Sequence, residues 1–208
     1  MKENRICRTP SQTIGPFFAY SLAAEQYGYD YNSIINGFLL DPAEEGERIY
    51  ITGNVFDGKG NSIHDALIEL WQADTNGVYR SLPVSKKNDG FTGFGRLGTG
   101  TNATHKFSFV TIKPGATIEQ QAPHINVILF MRGSLLPLYT RIYFSDEKEA
   151  NSKDGLLNSI EHERRQTLIA ERMERPGLVE YIFDIYMQGE NETVFFDVCD
   201  ESVNNISE

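Results

Sequence analysis

From Arg48 onward apolar and polar side chains alternate, with Ile49, Ile51, Gly53 and Val55 set between Tyr50, Thr52 and Asn54. A period of two places successive side chains on opposite faces of an extended strand. Asp57-Gly58-Lys59-Gly60-Asn61 then reads as a tight turn. Further strands are predicted over residues 66–72, closed by Asp74-Thr75-Asn76-Gly77, and over 105–112, where Phe107 and Phe109 share a face before Lys113-Pro114-Gly115. Two more fall at 125–131 and 139–144, parted by a loop holding Gly133 and Pro137, and strand character returns at 178–187 and 193–198. Short strands at this spacing, punctuated by Gly, Asn and Pro, predict an all-β antiparallel sandwich or barrel.

The two remaining stretches differ. Residues 1–47 lack periodicity, and Thr9-Pro10-Ser11-Gln12-Thr13-Ile14-Gly15-Pro16-Phe17-Phe18 carries a Pro and a Gly-Pro step, which predicts an extended, irregular N-terminal arm. Two adjacent phenylalanines on such an arm must be covered by the chain's own body or by a partner. Residues 146–151 and roughly 158–174 are heavily charged and helix-like, the second with a thin stripe of Ile160, Leu168, Ile169 and Met173 suited to lying outside a sheet. The expected organisation is one domain over 1–208: the arm, then a β-sandwich core over 48–208 with a helical excursion at about 146–174.

Composition narrows this picture. The chain of 208 residues, with 18 glycines and 12% aromatic residues, suits many strands and tight turns in one full-sized core. A formal charge of -10, spread along the chain, would repel phosphate backbones and argues against nucleic-acid binding. The two cysteines, Cys7 and Cys199, do not make a disulfide framework. Residues 1–8 have no apolar core of a secretory signal, and the apolar run 127–131 is too short to span a bilayer. The expectation is a soluble, cytoplasmic protein with no membrane contact.

Several segments, in order along nearly the whole chain, resemble the intradiol ring-cleaving dioxygenases. They are residues 9–16; Ile68-Glu69-Leu70-Trp71-Gln72-Ala73-Asp74; Phe109-Val110-Thr111-Ile112-Lys113-Pro114-Gly115; Ala122-Pro123-His124-Ile125-Asn126-Val127; Arg132-Gly133; Thr140-Arg141-Ile142-Tyr143-Phe144; and Glu192-Thr193-Val194-Phe195-Phe196-Asp197. The resemblance implies an intradiol dioxygenase/transthyretin-like sandwich. It also implies a non-haem ferric ion held in catalytic chains by two tyrosines and two histidines, since phenolates are hard anionic donors that favour Fe(III).

Carried over by position, those ligand places fall on Tyr79, Thr117, His124 and Asn126, and the family's arginine ahead of the histidine pair falls on Gln121. A His-x-His pair on a strand would aim two imidazoles one way, and here the second is an asparagine. Threonine and amide oxygens are neutral, weak ferric ligands. The resemblance therefore implies a vestigial site, with no metal and no catalytic residue in this chain alone. Arg141 is either an ordinary strand residue or a guanidinium that enters the vacated pocket.

Within the family the resemblance is to the α subunits of heteromeric enzymes that act on protocatechuate. Such a chain would pair with a β subunit that holds Fe(III), in a large α-β hetero-oligomer that consumes protocatechuate and O₂. It would lend Thr13, Gly15, Pro16 and Arg132 to the substrate cavity, the arginine offering charge-assisted recognition of a benzoate. Two alternatives remain open at this point: a homomeric catechol-type dioxygenase, and a transthyretin-like binding or assembly module.

Overall fold

The computed structural model describes residues 14–15, 17–39, 45–80, 91–117 and 121–198. Among them one sheet of eight strands dominates, in the order β4-β3-β6-β7-β8-β9-β1-β5. The strands are β1 (Arg48–Gly53), β3 (Leu67–Gln72), β4 (Phe94–Gly98), β5 (Phe107–Ile112), β6 (His124–Phe130), β7 (Leu138–Phe144), β8 (Ile169–Arg175) and β9 (Leu178–Ile182). A two-stranded ribbon joins β2 (Val55–Phe56) to β10 (Ile185–Tyr186). Most pairings are antiparallel, as the alternation predicts, but β1–β9, β7–β8 and β2–β10 are parallel.

The sheet curls until its two edges nearly meet. Residues 36–39 lie between edge strands β4 and β5 and bond to both sides. Arg96 N–H donates to the Asn36 carbonyl at 2.9 Å, Val110 N–H to Gly37 at 2.9 Å, and Leu39 N–H to Val110 at 3.0 Å. Gly95 and Gly98 make room for this wrapping segment: a Cβ on the first would strike Leu39 and on the second Tyr27. The interior holds Ile49, Ile51, Ile68, Leu70, Phe107, Phe109, Ile125, Val127, Leu129, Ile142 and Tyr181, all buried.

Two elements depart from the sequence expectation. The N-terminal segment is not extended throughout: Phe17–Leu22 is a short helix, α1, which sets Ala19 and Ala23 against Leu67. The excursion after β7 is shorter than predicted. It contains α2 (Lys148–Lys153), α3 (Gly155–Ser159) and a 3₁₀ turn at Arg165–Leu168. The chain then enters β8, a strand in mid-sheet, so the expectation of a helix to residue 174 is wrong. The alternating charges Glu171, Arg172, Glu174 and Arg175 mimic a solvated helix face. In fact they fringe a strand whose Arg172 bonds Glu47, Asp146, Glu174 and the Tyr181 hydroxyl. Residues 193–198 form no named strand and touch the sheet through a bridge of Phe196 to Tyr139.

On the outer face of β6 and β7 lies a second, small core of Ala122, Tyr143, Leu157 and Leu168. Asp154 organises it. Its buried carboxylate caps α3 by accepting from Leu157 N–H at 2.7 Å, and it also accepts from Ala122 N–H at 2.9 Å and the Tyr143 hydroxyl at 3.2 Å.

Candidate functional site

Strand alternation sets His124 and Asn126 on the same outer face of β6, with Ile125 and Val127 turned into the main core. Across the ladder on β7, His124 faces Tyr143 and Asn126 faces Arg141. Tyr79 arrives from the loop after β3, which a tight turn steers. The Asp74 carboxylate accepts from Asn76 N–H at 2.9 Å and Val78 N–H at 3.0 Å, while Gly77 N–H donates to its carbonyl at 3.0 Å. Gly115 N–H donates to that same carbonyl at 2.9 Å, fastening the Lys-Pro-Gly turn to the Tyr79 loop. The two loops approach so closely that a Cβ on Gly77 would run into the Ala116 carbonyl.

The three side chains on this face share one hydrogen-bond chain. Asn126 Nδ2 donates to Tyr79 Oη at 2.8 Å, and Arg141 Nε donates to Asn126 Oδ1 at 3.0 Å. Because a guanidinium is donor-only, this fixes which end of the amide faces which partner. His124 Nδ1–H donates to the Ala122 carbonyl at 2.9 Å, which leaves Nε2 as an acceptor for the Tyr79 hydroxyl, 3.4 Å away. Burial, reinforced by the Arg141 charge, holds the His124 pKa below its ordinary value, and burial raises that of Tyr79. Both are therefore neutral at pH 7, an imidazole and a phenol rather than an imidazolium and a phenolate. Trp71, half exposed, lies against Tyr79 with ring centroids 5.1 Å apart.

These residues do not fit a ferric ion. Two of the four ligand places hold neutral, weak ferric donors, Thr117 and Asn126, both ends of the Asn126 amide are engaged, and the permanent cation of Arg141 sits beside them. Arg141 Nη1 is buried without a hydrogen-bond partner, a donor no metal would satisfy. Among the described residues no group of three or more His, Cys, Asp or Glu could hold a metal. Thr117 stands apart from this chain and donates to Gln121 Oε1 at 2.7 Å.

The arm residues gather at the other end of β6, roughly 20 Å away for a strand of this length at ~3.4 Å per residue. Ile14 N–H donates to the Ser134 carbonyl at 2.7 Å, so Gly15 lies beside the loop that carries Arg132. A Cβ on Gly15 would meet nothing within 4 Å. Arg132 Nη2 lies 2.5 Å from Asp65 Oδ2, and Phe18 stacks on Phe130 at 5.4 Å. Thr13 and Pro16, the other expected contributors, lie outside the described residues.

Three participants escape the sequence reading. Asp65 carries no pattern that marks it. Asp154 does, as an N-cap ahead of Gly155-Leu156-Leu157. Trp71 stands in a segment read for its likeness and not for its contact.

A family model described as Dioxygenase matches residues 30–189. The chain is 49% identical to the protocatechuate 3,4-dioxygenase alpha chain of Burkholderia cepacia, over 92% of this chain and 98% of that one. It is 45% identical to the alpha chain of Pseudomonas putida, over 91% and 96%. The Burkholderia cepacia beta chain is more distant, 30% identical over 78% of this chain and 71% of that one. Among solved structures, the dioxygenase domain of a carbohydrate-binding fusion from Streptomyces sp. SirexAA-E superposes with a TM-score of 0.58 at 23% identity, over 80% and 93% of the two chains. That likeness supports the shared fold.

Proposed function

The chain belongs to the intradiol ring-cleaving dioxygenase family, whose members are non-haem iron enzymes, and from that premise we propose that it is the non-iron-binding α subunit of a protocatechuate 3,4-dioxygenase. The observation that carries the reading is the closed chain Tyr79–Asn126–Arg141, which uses the polar groups a metal would need and adds a cation in their midst. In this reading the iron belongs to a β subunit, and the α-β complex joins both atoms of O₂ to protocatechuate. Ring opening between the two hydroxylated carbons gives 3-carboxy-cis,cis-muconate.

The contribution of this chain is then to binding. Gly15 and Arg132, brought to one end of β6 through the Ile14–Ser134 bond, would form part of the partner's substrate cavity with Thr13 and Pro16. The backbone at Gly15 is open to close approach, and the guanidinium of Arg132, 58% exposed, suits the substrate carboxylate. No helix among the described residues is long and apolar enough to cross a membrane, and we place the complex in the cytoplasm.

The test is to measure iron and ring-cleavage activity in this chain alone and after co-expression with a β-chain relative. An iron-free, inactive chain that yields an active, iron-loaded complex is the expected result. Stoichiometric iron and turnover in the chain alone would reject the reading in favour of a self-sufficient dioxygenase.

A further inference from the structure

We propose that Asp65 is a positioning residue for substrate recognition, holding Arg132 in the orientation from which its guanidinium meets the substrate carboxylate. This rests on the reading of Arg132 given above and adds a residue to it.

The pair is lopsided in a way that suits this task. The Asp65 side chain is 7% exposed, and Arg132 is 58% exposed on a loop at the end of β6. A symmetric surface pair would tie down neither partner, because two mobile side chains gain little by meeting in water. Here one partner is anchored in the body of the protein at residue 65, just ahead of β3. The contact runs through one nitrogen, Nη2, to one oxygen, Oδ2. A guanidinium has five N–H donors, so an anchored single contact leaves Nε and Nη1 for a second anion. The loop is fixed at two further places: Ser134 N–H donates to the Met131 carbonyl at 3.3 Å, and the Ser134 carbonyl accepts from Ile14. Asp65 thus sets the side chain of Arg132, while Ser134 sets its backbone beside the arm.

Holding a long side chain in its bound geometry removes part of the ordering entropy that binding must otherwise supply. The gain goes to a ligand that uses the charge, so Asp65 should matter for the carboxylate and not for the ring. A buried carboxylate also lowers the net positive charge offered to the substrate. Positioning must outweigh that loss, and kinetics decides it.

The experiment uses the reconstituted α-β complex with wild-type, Arg132→Ala, Asp65→Asn and Asp65→Glu chains. Protocatechuate KM and kcat are measured beside the inhibition constant of a catechol that lacks the carboxylate. For Asp65→Asn we expect KM to rise about tenfold with kcat changed less than twofold and inhibition by the carboxylate-free catechol unchanged. Arg132→Ala should raise KM at least as much. If Arg132→Ala raises KM and Asp65→Asn does not, the positioning role is overturned while Arg132 stands. If Arg132→Ala leaves KM alone, its site role fails and takes this inference with it. An equal loss for both ligands would make Asp65 a structural residue and overturn the proposal. Should Asp65→Asn fail to assemble, Asp65→Glu, which displaces the guanidinium by a methylene, is read in the same way: a native KM overturns the proposal and a raised one supports it.

Discussion

Arg141 stands directly across the β6–β7 ladder from Asn126 and donates its Nε to the amide oxygen over 3.0 Å. The pair works as a unit, because the same amide donates its Nδ2–H to Tyr79 Oη. Replacing the ligand residues alone should therefore not rebuild a ferric site. The double variant Thr117→Tyr/Asn126→His is expected to stay iron-free, since it keeps a fixed cation where a cation must bind. Adding Arg141→Gln should allow iron to be taken up. Elemental analysis and the visible phenolate-to-iron absorption measure both outcomes, and iron uptake by the double variant would contradict this account.

Asp154 links the helical excursion to the candidate site, since the residue it fixes, Ala122, in turn accepts a hydrogen bond from His124 Nδ1–H at its carbonyl. Asp154→Ala removes an N-cap and leaves the Ala122 N–H and the Tyr143 hydroxyl unpaired in a buried place. The expected cost is about 2–4 kcal/mol, read as a shift in the chemical unfolding midpoint. Asp154→Asn should recover part of it.

His124 predicts an acid sensitivity. Its pKa is depressed in the folded chain by burial and then by Arg141, against the opposing hydrogen bond to the Ala122 carbonyl and the Asp154 charge. The folded state therefore binds fewer protons than the unfolded state once pH drops below the unfolded histidine value near 6.5. Stability is full above that value and falls as pH descends towards the lowered folded pKa. Thermal unfolding from pH 8 to 5 should show this decline, and His124→Gln should flatten it in the upper part of the range, above the carboxylates.

Gly77 has a positive φ of 77° and sits against the Ala116 carbonyl. Gly77→Ala should cost ~1–3 kcal/mol in backbone strain alone. It should also part the two loops that hold Tyr79 and Thr117. A rise in Tyr79 solvent exposure, followed by tyrosine fluorescence quenching against a Tyr79→Phe control, would register that separation.

The exposed apolar residues at the arm predict how the lone chain behaves. Phe17 is 76% exposed, and Leu135 and Leu136 are exposed on the loop that carries Arg132. Without a partner these should drive self-association. Sedimentation of the isolated chain should show larger species, diminished by Phe17→Ser/Leu136→Ser.

Most of strands β1, β5, β6 and β7 is legible because one face lies in the core and alternation survives in the sequence, while β3, buried on both faces, is legible as a short apolar run closed by a turn. Strand β4 is absent from the expected elements, since Gly95 and Gly98 give it little strand character. Their real role is to let residues 36–39 and Tyr27 lie on the strand, a contact between distant segments that no local pattern encodes. Strand β8 was misread for a related reason. Its side chains are largely exposed, and its place in mid-sheet comes from neighbours on both sides and not from apolar alternation. At the candidate site the residue types at 79, 117, 124 and 126 were legible, whereas the Arg141 hydrogen bond and the Asp65–Arg132 pair belong to tertiary structure.

The strap formed by residues 36–39 also governs how this chain can join others. By occupying backbone groups on both β4 and β5 it caps the two rims where an incoming strand would ordinarily zip on. Any partner that meets this part of the sheet would therefore have to do so through side-chain surfaces. The strap presents one, because Phe38 is turned largely outward on it and Ile34, just ahead of it, is almost fully exposed.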